Sequence, residues 1–306
     1  MTDLVRIYEV GPRDGLQAEA TVVPIEEKLR FVSLLADAGL REIEATSFVS
    51  PRAIPQLADA DELMRRLDPR PGVRYPVLVP NERGMARALE VGVEAICLFT
   101  AATESYARHN INMSIAASLE AFAPIAATAR QRGMWIRAYV STAFGCPYEG
   151  EVDERVVVDL AQRLAQLGVD ELAISDTVGA AGPADVRRVL GAVVASGIGA
   201  ERLACHFHDT RGTALANVMA ALDLGVRCFD ASTGGTGGSP YAPGAAGNLA
   251  TEDLVYLLDR QGIDHGVHLE GVLEAARFIS QQLHRPLGSK VGRAGGWPGQ
   301  SPGGEG

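Results

Sequence analysis

The chain has 306 residues, of which 47% are hydrophobic and 22% are charged, and its formal net charge at pH 7 is −10. This composition is that of an ordinary globular protein with a large buried core, and it excludes disorder over most of the length. An acidic balance without a long cluster of lysine and arginine argues against binding to nucleic acid.

The N-terminus shows no basic segment followed by an apolar core, so the sequence predicts no secretory signal. No stretch of about 18 uninterrupted apolar residues is present, so none is expected to span a membrane. The four cysteines lack a C-x-x-C pair, and free buried thiols in a reducing, cytoplasmic compartment are the expectation. They are Cys97, Cys146, Cys205 and Cys228.

One phrase recurs along the chain: a segment with helical periodicity, then a glycine, then a short β-branched run. The glycine supplies the left-handed conformation that ends a helix, and the apolar run then enters the core as a strand. The phrase occurs at residues 34–45, 88–98, 129–140, 164–175 and 222–232.

Counting strands in this way predicts eight, with helical patterns between them. Alternating β and α elements imply a parallel sheet, and eight units fit a closed α/β barrel, the (β/α)₈ TIM barrel, better than an open sheet. A Rossmann-like open sheet is the alternative, but no G-x-G-x-x-G follows the first strand. The predicted strands are residues 4–10, 41–46, 73–79, 94–100, 135–141, 171–175, 202–207 and 228–232.

The C-terminal part of the chain adds elements outside these units. An additional helix is expected at about residues 268–283, and from Ser289 the sequence is rich in glycine and proline. We therefore expect one TIM-barrel catalytic domain over residues 1–288 and a disordered tail over residues 289–306, since such a composition cannot pack.

Active sites of barrels form where strands end and the loops to the next helices begin. The first strand ends in E-V-G-P-R-D-G-L-Q, residues 9–17, whose glycines and proline indicate a tight turn that presents Arg13 and Asp14. The alternative interpretation is an Arg–Asp pair that caps the following helix.

The seventh strand ends in H-F-H-D-T. His206 and His208 are two residues apart, so in a strand both side chains point to the same face, as a pair of metal ligands would. The loop at residues 233–248 contains six glycines, which allow close approach to a ligand, and ends at Asn248, a neutral oxygen donor. A mobile surface loop is the alternative for this segment.

Asp14, His206, His208 and Asn248 together offer one anionic oxygen, two nitrogens and one neutral oxygen. This mixed set suits one Mg²⁺ or Mn²⁺ ion, with two octahedral positions left for substrate oxygens. Nearby strand ends add three more polar residues. Glu44 and Asp176 could orient a ligand histidine or Arg13, although Asp176 could equally cap the next helix. Asn110 could contact substrate or cap a helix.

These segments resemble the 3-hydroxy-3-methylglutaryl-CoA lyase family of metal-dependent barrels over about residues 4–290. The resemblance implies that the four residues above are metal ligands. It also implies that Arg13 stabilises the enolate of the thioester fragment and that His206 takes part in proton transfer. It rests on E-V-G-P-R-D-G-L-Q, E-A-T-S-F-V-S-P from Glu44, N-I-N-M-S at 110–114, G-C-P-Y-E-G at 145–150, S-D-T-V-G at 175–179, H-F-H-D-T, and P-Y-A-P-G-A-A-G-N-L-A-T-E-D at 240–253.

The same resemblance implies supporting acidic roles for Glu44, Asp176 and Glu252, and an acyl-CoA as the small-molecule partner. We assign Gln17, Asn110 and Tyr139 to substrate binding. The resemblance also suggests a homodimer; from the composition we expect no membrane or nucleic-acid partner.

The reaction that the resemblance implies is cleavage of 3-hydroxy-3-methylglutaryl-CoA to acetyl-CoA and acetoacetate. The C3 hydroxyl loses a proton while the C2–C3 bond breaks, and a metal bound to that hydroxyl lowers its pKa. Arg13 would meet the negative charge that grows on the thioester oxygen.

One departure concerns the glycine loop, where the family typically has G-G-C-P and this chain has G-G-S-P, with Ser239 at the catalytic position. A thiol with a pKa of about 8.5 exchanges protons at neutral pH, whereas an unactivated alcohol does not. Arg211 also stands where an aromatic residue is common. The alternatives are therefore a related substrate such as citramalyl-CoA, a condensing enzyme that uses a 2-oxo acid, or a non-catalytic barrel that senses an acyl-CoA.

Overall fold

A parallel sheet forms the centre of the molecule in a computed structural model that describes residues 4–238 and 247–297. Two of its nine segments are halves of one strand, so the sheet consists of eight strands. They are β1 (Arg6–Glu9), β2 (Glu42–Ile43 and Thr46–Ser47), β3 (Val77–Leu78), β4 (Ala95–Ala101), β5 (Trp135–Ser141), β6 (Glu171–Asp176), β7 (Leu203–Phe207) and β8 (Cys228–Ala231).

The sheet closes on itself through β2. The first half of β2 pairs with β1, its second half pairs with β3, and β1 pairs with β8. The backbone between the halves stays bonded on both sides, since Glu44 N donates to Glu9 O and Ala45 N donates to Pro76 O. Every strand therefore has two neighbours, as in a closed barrel. The predicted (β/α)₈ barrel is confirmed, and the open Rossmann-like sheet is wrong.

The predicted third strand, residues 73–79, is longer than the observed one, Val77–Leu78. Pro76 lies within the predicted range and has no N–H to donate, so regular pairing begins only after it. The backbone nevertheless keeps its place in the barrel, because Val79 N donates to Cys97 O on β4 at 2.9 Å.

Helices cover the outside of the barrel and connect successive strands. Those within the described residues are α1 (Ile25–Asp37), α2 (Ala60–Arg66), α3 (Glu82–Glu90), α4 (Glu104–Ile111), α5 (Ile115–Gln131), α6 (Glu154–Gln166), α7 (Pro183–Ala195), α8 (Ala214–Asp223), α9 (Thr251–Gln261), α10 (Leu269–Gln282) and α11 (Lys290–Ala294). The predicted additional C-terminal helix corresponds to α10, which packs against α1.

The core has two parts, one between the strands and the helices and one inside the barrel. The outer part contains large apolar side chains such as Phe31, Phe122 and Phe207. The interior is filled by a smaller set of side chains: Tyr8, Val10, Leu78, Cys97, Tyr139, Ala173, Ala204 and Cys228. The barrel is thus a packed core and not a pore. All four cysteines are buried and free, as predicted.

The end of the chain corrects the prediction of a disordered tail from Ser289. Ser289 caps α11 by accepting a hydrogen bond from Gly292 N at 2.9 Å, and its hydroxyl donates to Asp253. Asp253 also accepts from Lys290 N and Val291 N. The predicted disorder is therefore wrong for residues 289–297, because the buried carboxylate of Asp253 accepts three hydrogen bonds from this segment. Residues 298–306 lie outside the described part.

Within the described residues, no single helix is both long and apolar enough to cross a membrane. Helices α4 and α5 meet the length and composition requirements only as a pair, which is bent by 57°.

Candidate active site

A cavity of about 150 Å³ opens where the barrel strands end. Its walls come from β3 to β7, from α4 and from the segments that follow β1 and β8. The predicted residues Gln17, Asn110 and Tyr139 contribute to this wall. The full lining consists of Arg13, Asp14, Gln17, Leu78, Phe99, Tyr106, Asn110, Tyr139, Ser141, Ser175, Thr177, His206, His208 and Gly238.

A tight turn presents Arg13 and Asp14 to this cavity. After β1 the chain forms one π-helical turn, Gly11–Gly15, in which Asp14 N donates to Val10 O at 2.8 Å. Glycine is required at its end, because a Cβ on Gly15 would lie 2.4 Å from the hydroxyl oxygen of Thr236. The capping alternative for the Arg–Asp pair is wrong, since α1 begins at Ile25 without a side-chain cap.

Three predicted metal ligands meet at this point. Asp14, His206 and His208 each offer a ligand atom within 4.8 Å of the others. The two Nε2 atoms of the histidines lie 3.1 Å apart, which brings both rings to one point on the cavity wall. Burial, followed by the neighbouring ring of His206, lowers the pKa of His208 to about 3. The His208 ring is therefore neutral at pH 7 and keeps a lone pair for a cation.

The carboxylate of Asp14 is ionised although it is buried. Burial alone would raise its pKa, but the guanidinium of Arg13 and further contacts lower the pKa of Asp14 to about 2. One oxygen accepts from Arg13 Nη1 at 2.6 Å and the other from Asn248 Nδ2 at 2.9 Å. The site thus holds a permanent negative charge beside the two rings.

Asn248 supplies the fourth predicted ligand. Its Nδ2 donates to Asp14 and to the backbone oxygen of Thr236, while its Oδ1 is buried and has no hydrogen-bond partner among the described residues. A buried oxygen without a partner is costly, and a cation would remove that cost. Two imidazoles, a carboxylate and an amide oxygen fit a divalent ion such as Mg²⁺ or Mn²⁺.

Arg13 lies beside these ligands in a rigid frame. Its Nε donates to Glu44 Oε1 at 2.6 Å, and the hydroxyl of Tyr139 donates to the other oxygen of Glu44 at 2.5 Å. Burial opposes the charge of Arg13, but Glu44 and Asp14 outweigh it and raise the guanidinium pKa well above its usual range. Of the two partners predicted for Glu44, the structure shows Arg13 and not a histidine.

Asp176 makes contacts of a different kind from Glu44. Its carboxylate accepts from Ala180 N at 2.9 Å and Ala181 N at 3.0 Å, so it caps the turn that precedes α7. Burial raises the pKa of Asp176. The capping alternative matches these contacts, and a catalytic role for Asp176 stays a prediction.

Asn110 lies inside α4 and caps no helix; its Nδ2 donates to the hydroxyl of Tyr106 at 3.3 Å, and both residues line the cavity.

Glu252 lies in the first turn of α9 and accepts from Gly234 N at 2.9 Å, which holds the start of the glycine loop. Burial raises the pKa of Glu252 to about 7. Ser239, the predicted catalytic serine, lies outside the described residues.

Two residues that sequence reasoning missed support His206 from inside the barrel. Asp230 on β8 lies 3.1 Å from Nδ1 of His206, and Arg137 on β5 donates to the other oxygen of Asp230. Arg137 is fully buried, and its guanidinium lies 3.7 Å from the ring centroid of Tyr8. The available signal was a charged residue in the middle of an otherwise apolar strand, since such a residue needs a buried partner.

Comparison with known proteins gives one consistent result. The family model described as HMGL-like matches residues 4–279. The chain is 47% identical over 286 residues to hydroxymethylglutaryl-CoA lyase YngG from Bacillus subtilis, covering 94% of this chain and 95% of that protein. The matched residues contain every described residue assigned to the site above.

Solved structures agree with this match. The crystal structure of the Bacillus subtilis HMG-CoA lyase superimposes with a TM-score of 0.93 at 46% identity, covering 96% of this chain and 99% of that one. The structure of an HMG-CoA lyase from Acinetobacter baumannii in complex with coenzyme A and 3-methylmalate gives a TM-score of 0.92 at 38% identity, covering 98% of each chain.

Proposed function

Since this chain belongs to the HMGL-like family, we infer that it is a carbon–carbon lyase that cleaves 3-hydroxy-3-methylglutaryl-CoA to acetyl-CoA and acetoacetate, and that it depends on a divalent metal. Within the molecule, this inference rests on one observation: Asp14, His206 and His208 lie together beside Arg13 in one cavity. A small acyl-CoA is accordingly its substrate.

We propose that Asp14, His206, His208 and Asn248 hold one Mg²⁺ or Mn²⁺ ion, because this donor set contains no thiolate. An ion bound there would supply Lewis-acid chemistry: it would polarise substrate oxygens and lower the pKa of the hydroxyl that must lose its proton. The chain prepares this site before the ion arrives, since Asp14 is ionised and His208 is neutral at pH 7.

Arg13 is proposed to stabilise the charge that develops on the thioester oxygen during bond cleavage. Its Nε and one Nη atom are held by Glu44 and Asp14, so the direction of the remaining guanidinium N–H groups is set before substrate binds. A donor that needs no reorganisation in a water-poor cavity contributes most to the transition state. Gln17, Asn110 and Tyr139 line the same cavity and are proposed to contact the substrate.

We propose proton transfer by His206 from the resemblance; because its Nδ1 faces Asp230, the ring can accept a proton only on Nε2, when that atom is not bound to the ion. The alcohol of Ser239 titrates too high to act as a resting base. Cys146 is not a substitute, since its thiol accepts from the Thr103 hydroxyl and does not line this cavity. A homodimer is proposed from the resemblance alone, and a cytoplasmic location from the four free, buried cysteines.

Incubation with Mg²⁺ or Mn²⁺ and 3-hydroxy-3-methylglutaryl-CoA tests the reaction, and acetoacetate should form. A chelator should stop it, and His208→Gln should abolish it. His265→Gln is the matched control, because His265 is also a buried ring but pairs with Asp259 away from the cavity. Absence of turnover by metal-loaded wild-type protein would overturn the proposal.

The serine at position 239 favours one further candidate, a lyase for a related thioester, so citramalyl-CoA belongs in the same assay. Release of free CoA from acetyl-CoA and a 2-oxo acid would indicate a condensing enzyme instead. Should the wild-type protein bind metal and acyl-CoA without turnover while Ser239→Cys gains activity, the chain is an acyl-CoA sensor.

A further inference from the structure

We infer that Asp230 is a positioning residue that holds His206 in the tautomer with a proton on Nδ1, and that Arg137 keeps Asp230 in place for this purpose. The inference rests on the proposed metal-dependent lyase function, in which His206 is a ligand. It adds the residues that decide how this ligand is presented.

Asp230 and His206 are neighbours across two strands. His206 on β7 and Asp230 on β8 are register partners in the parallel pair, so their side chains lie on the same face of the sheet. Oδ2 of Asp230 lies 3.1 Å from Nδ1 of His206. The Asp230 side chain is 1% exposed, so water does not compete for this contact.

The chemistry of the two groups determines the tautomer. A neutral imidazole carries one N–H and one lone pair, and an ionised carboxylate can only accept. Asp230 therefore requires the proton on Nδ1, which leaves the lone pair on Nε2. That atom lies 3.1 Å from Nε2 of His208, on the side where Asp14 also offers an oxygen. A carboxylate behind a ligand histidine orients the ring and raises its basicity.

Arg137 forms a hydrogen bond with the second carboxylate oxygen of Asp230. Its Nη2 donates to Oδ1, while its Nε lies 3.5 Å from a carboxylate oxygen of Glu171 on the far side. The guanidinium is enclosed between the rings of Tyr8 and Tyr139, at 3.7 and 5.0 Å from their centroids. With both oxygens bonded and the guanidinium fully buried, the Asp230 carboxylate is held toward His206.

The other predicted orienting residues, Asp176 and Glu44, form hydrogen bonds to groups other than the histidines. Asp176 accepts from Ala180 N and Ala181 N, and Glu44 accepts from Arg13 and Tyr139. Within the described residues, Asp230 is the carboxylate that contacts a ring nitrogen of a site histidine. The orienting role that the sequence suggested for Asp176 is therefore assigned to Asp230.

The tautomer can be measured without metal or substrate by ¹⁵N NMR of the histidine-labelled wild-type protein, with the His206 signals assigned by their loss in His206→Gln. We expect a protonated Nδ1 and a bare Nε2. A wild-type spectrum with the proton on Nε2 of His206 would overturn the inference.

Asp230→Asn tests the consequence for metal binding. The dissociation constant for Mn²⁺ alone should rise by about 10- to 100-fold, the effect typical of losing such a partner, and kcat should fall similarly while KM changes little. Asp253→Asn is the matched control, because this buried carboxylate binds α11 and no site histidine. It should leave the His206 tautomer and the Mn²⁺ affinity unchanged.

Asp230→Asn strands the buried charge of Arg137 and can fail to fold for that reason. The double variant Arg137→Met with Asp230→Asn removes the stranded charge and should fold, with the same loss of Mn²⁺ affinity. Wild-type protein that binds Mn²⁺ and cleaves substrate, together with a folded Asp230 variant of unchanged affinity, would refute this inference alone. Wild-type protein that neither binds Mn²⁺ nor cleaves substrate would refute the proposed function instead.

Discussion

The carboxylate of Glu44 is the contact on which the direction of Arg13 depends. Both of its oxygens are used, one by Arg13 Nε at 2.6 Å and one by the Tyr139 hydroxyl at 2.5 Å, and the side chain is fully buried. Glu44→Gln keeps the size of the side chain but replaces one acceptor by an amide donor. Because the Arg13 guanidinium can only donate, the amide oxygen must face Arg13 and the NH₂ group must face Tyr139, whose hydroxyl then has to turn and accept; the variant thus loses the negative charge beside Arg13.

The expected cost follows from this geometry. Removing one partner of a buried ion pair costs about 3–5 kcal/mol, and the retained contact of Arg13 with Asp14 places this variant near the lower end, at about 3 kcal/mol of unfolding free energy. Loss of a correctly directed oxyanion donor lowers kcat by about 10²- to 10³-fold. The metal affinity should change little, because Glu44 contacts no proposed ligand other than through Arg13.

Urea unfolding measures the loss of unfolding free energy, and acetoacetate release at saturating Mn²⁺ measures the loss of kcat. Tyr139→Phe is the comparison for stability, since it removes one hydroxyl donor from the Glu44 carboxylate but leaves the ion pair with Arg13, and it should cost about 1.5–2 kcal/mol. A Glu44→Gln variant with unfolding free energy and kcat close to the wild-type values would show that Arg13 is held by other contacts. Equal losses of unfolding free energy in both variants would show that the charge of Glu44 does not matter.

Three further predictions concern single buried side chains. Burial raises the pKa of Glu252 to about 7 from its ordinary 4.5, so the folded state loses stability as pH rises through this range. In urea unfolding, Glu252→Gln should therefore be more stable than wild type by up to about 3 kcal/mol at pH 8, with no gain at pH 4. Ser289→Ala removes the cap of α11 and should lower the unfolding free energy by about 1–2 kcal/mol, seen as a lower Tm, with Mn²⁺ binding unaffected. Asn248→Ala should raise the Mn²⁺ dissociation constant at least about tenfold in equilibrium dialysis, and an unchanged constant would remove Asn248 from the ligand set.

The barrel was predictable because its signals are local. A glycine that ends a helix and the apolar run that follows it lie within a dozen residues, so β5 was predicted with the bounds that it has, Trp135–Ser141. Parallel strands of a barrel all end on the same face, so polar residues at those ends must lie close together. Arg13, Asp14, His206 and His208 were found by that rule, and the structure brings them together.

The support of the site was not predictable, because it depends on contacts between distant segments. Arg137 and Asp230 are 93 residues apart and meet only once the barrel has closed with a particular register. The strand-end rule also directs attention away from them, since both lie within strands. Helix α11 was missed for a similar reason: its composition suggests disorder, and the carboxylate that orders it, Asp253, lies 36 residues before Ser289.

The charges of the site explain how a chain of net charge −10 can bind an anionic thioester. At the cavity, the carboxylates of Asp14 and Glu44 outnumber the guanidinium of Arg13, which leaves one negative charge in this ion-pair network. A divalent cation reverses that balance to one positive charge. At about 5 Å and an effective dielectric constant of about 20, each unit charge is worth about 3 kcal/mol to a substrate carboxylate.

The reversal predicts that acyl-CoA binding follows metal binding. Calorimetry with a non-cleavable acyl-CoA analogue should show affinity at least about 100-fold higher with Mn²⁺ than with a chelator, since even one of the two unit charges that the ion adds, at about 3 kcal/mol, corresponds to a factor of this size. Asp14→Asn removes one carboxylate from the ion-pair network, so it should improve metal-free binding of the analogue while weakening Mn²⁺ binding. Equal affinity with and without Mn²⁺ would mean that the CoA portion dominates recognition and that the local charge balance does not control it.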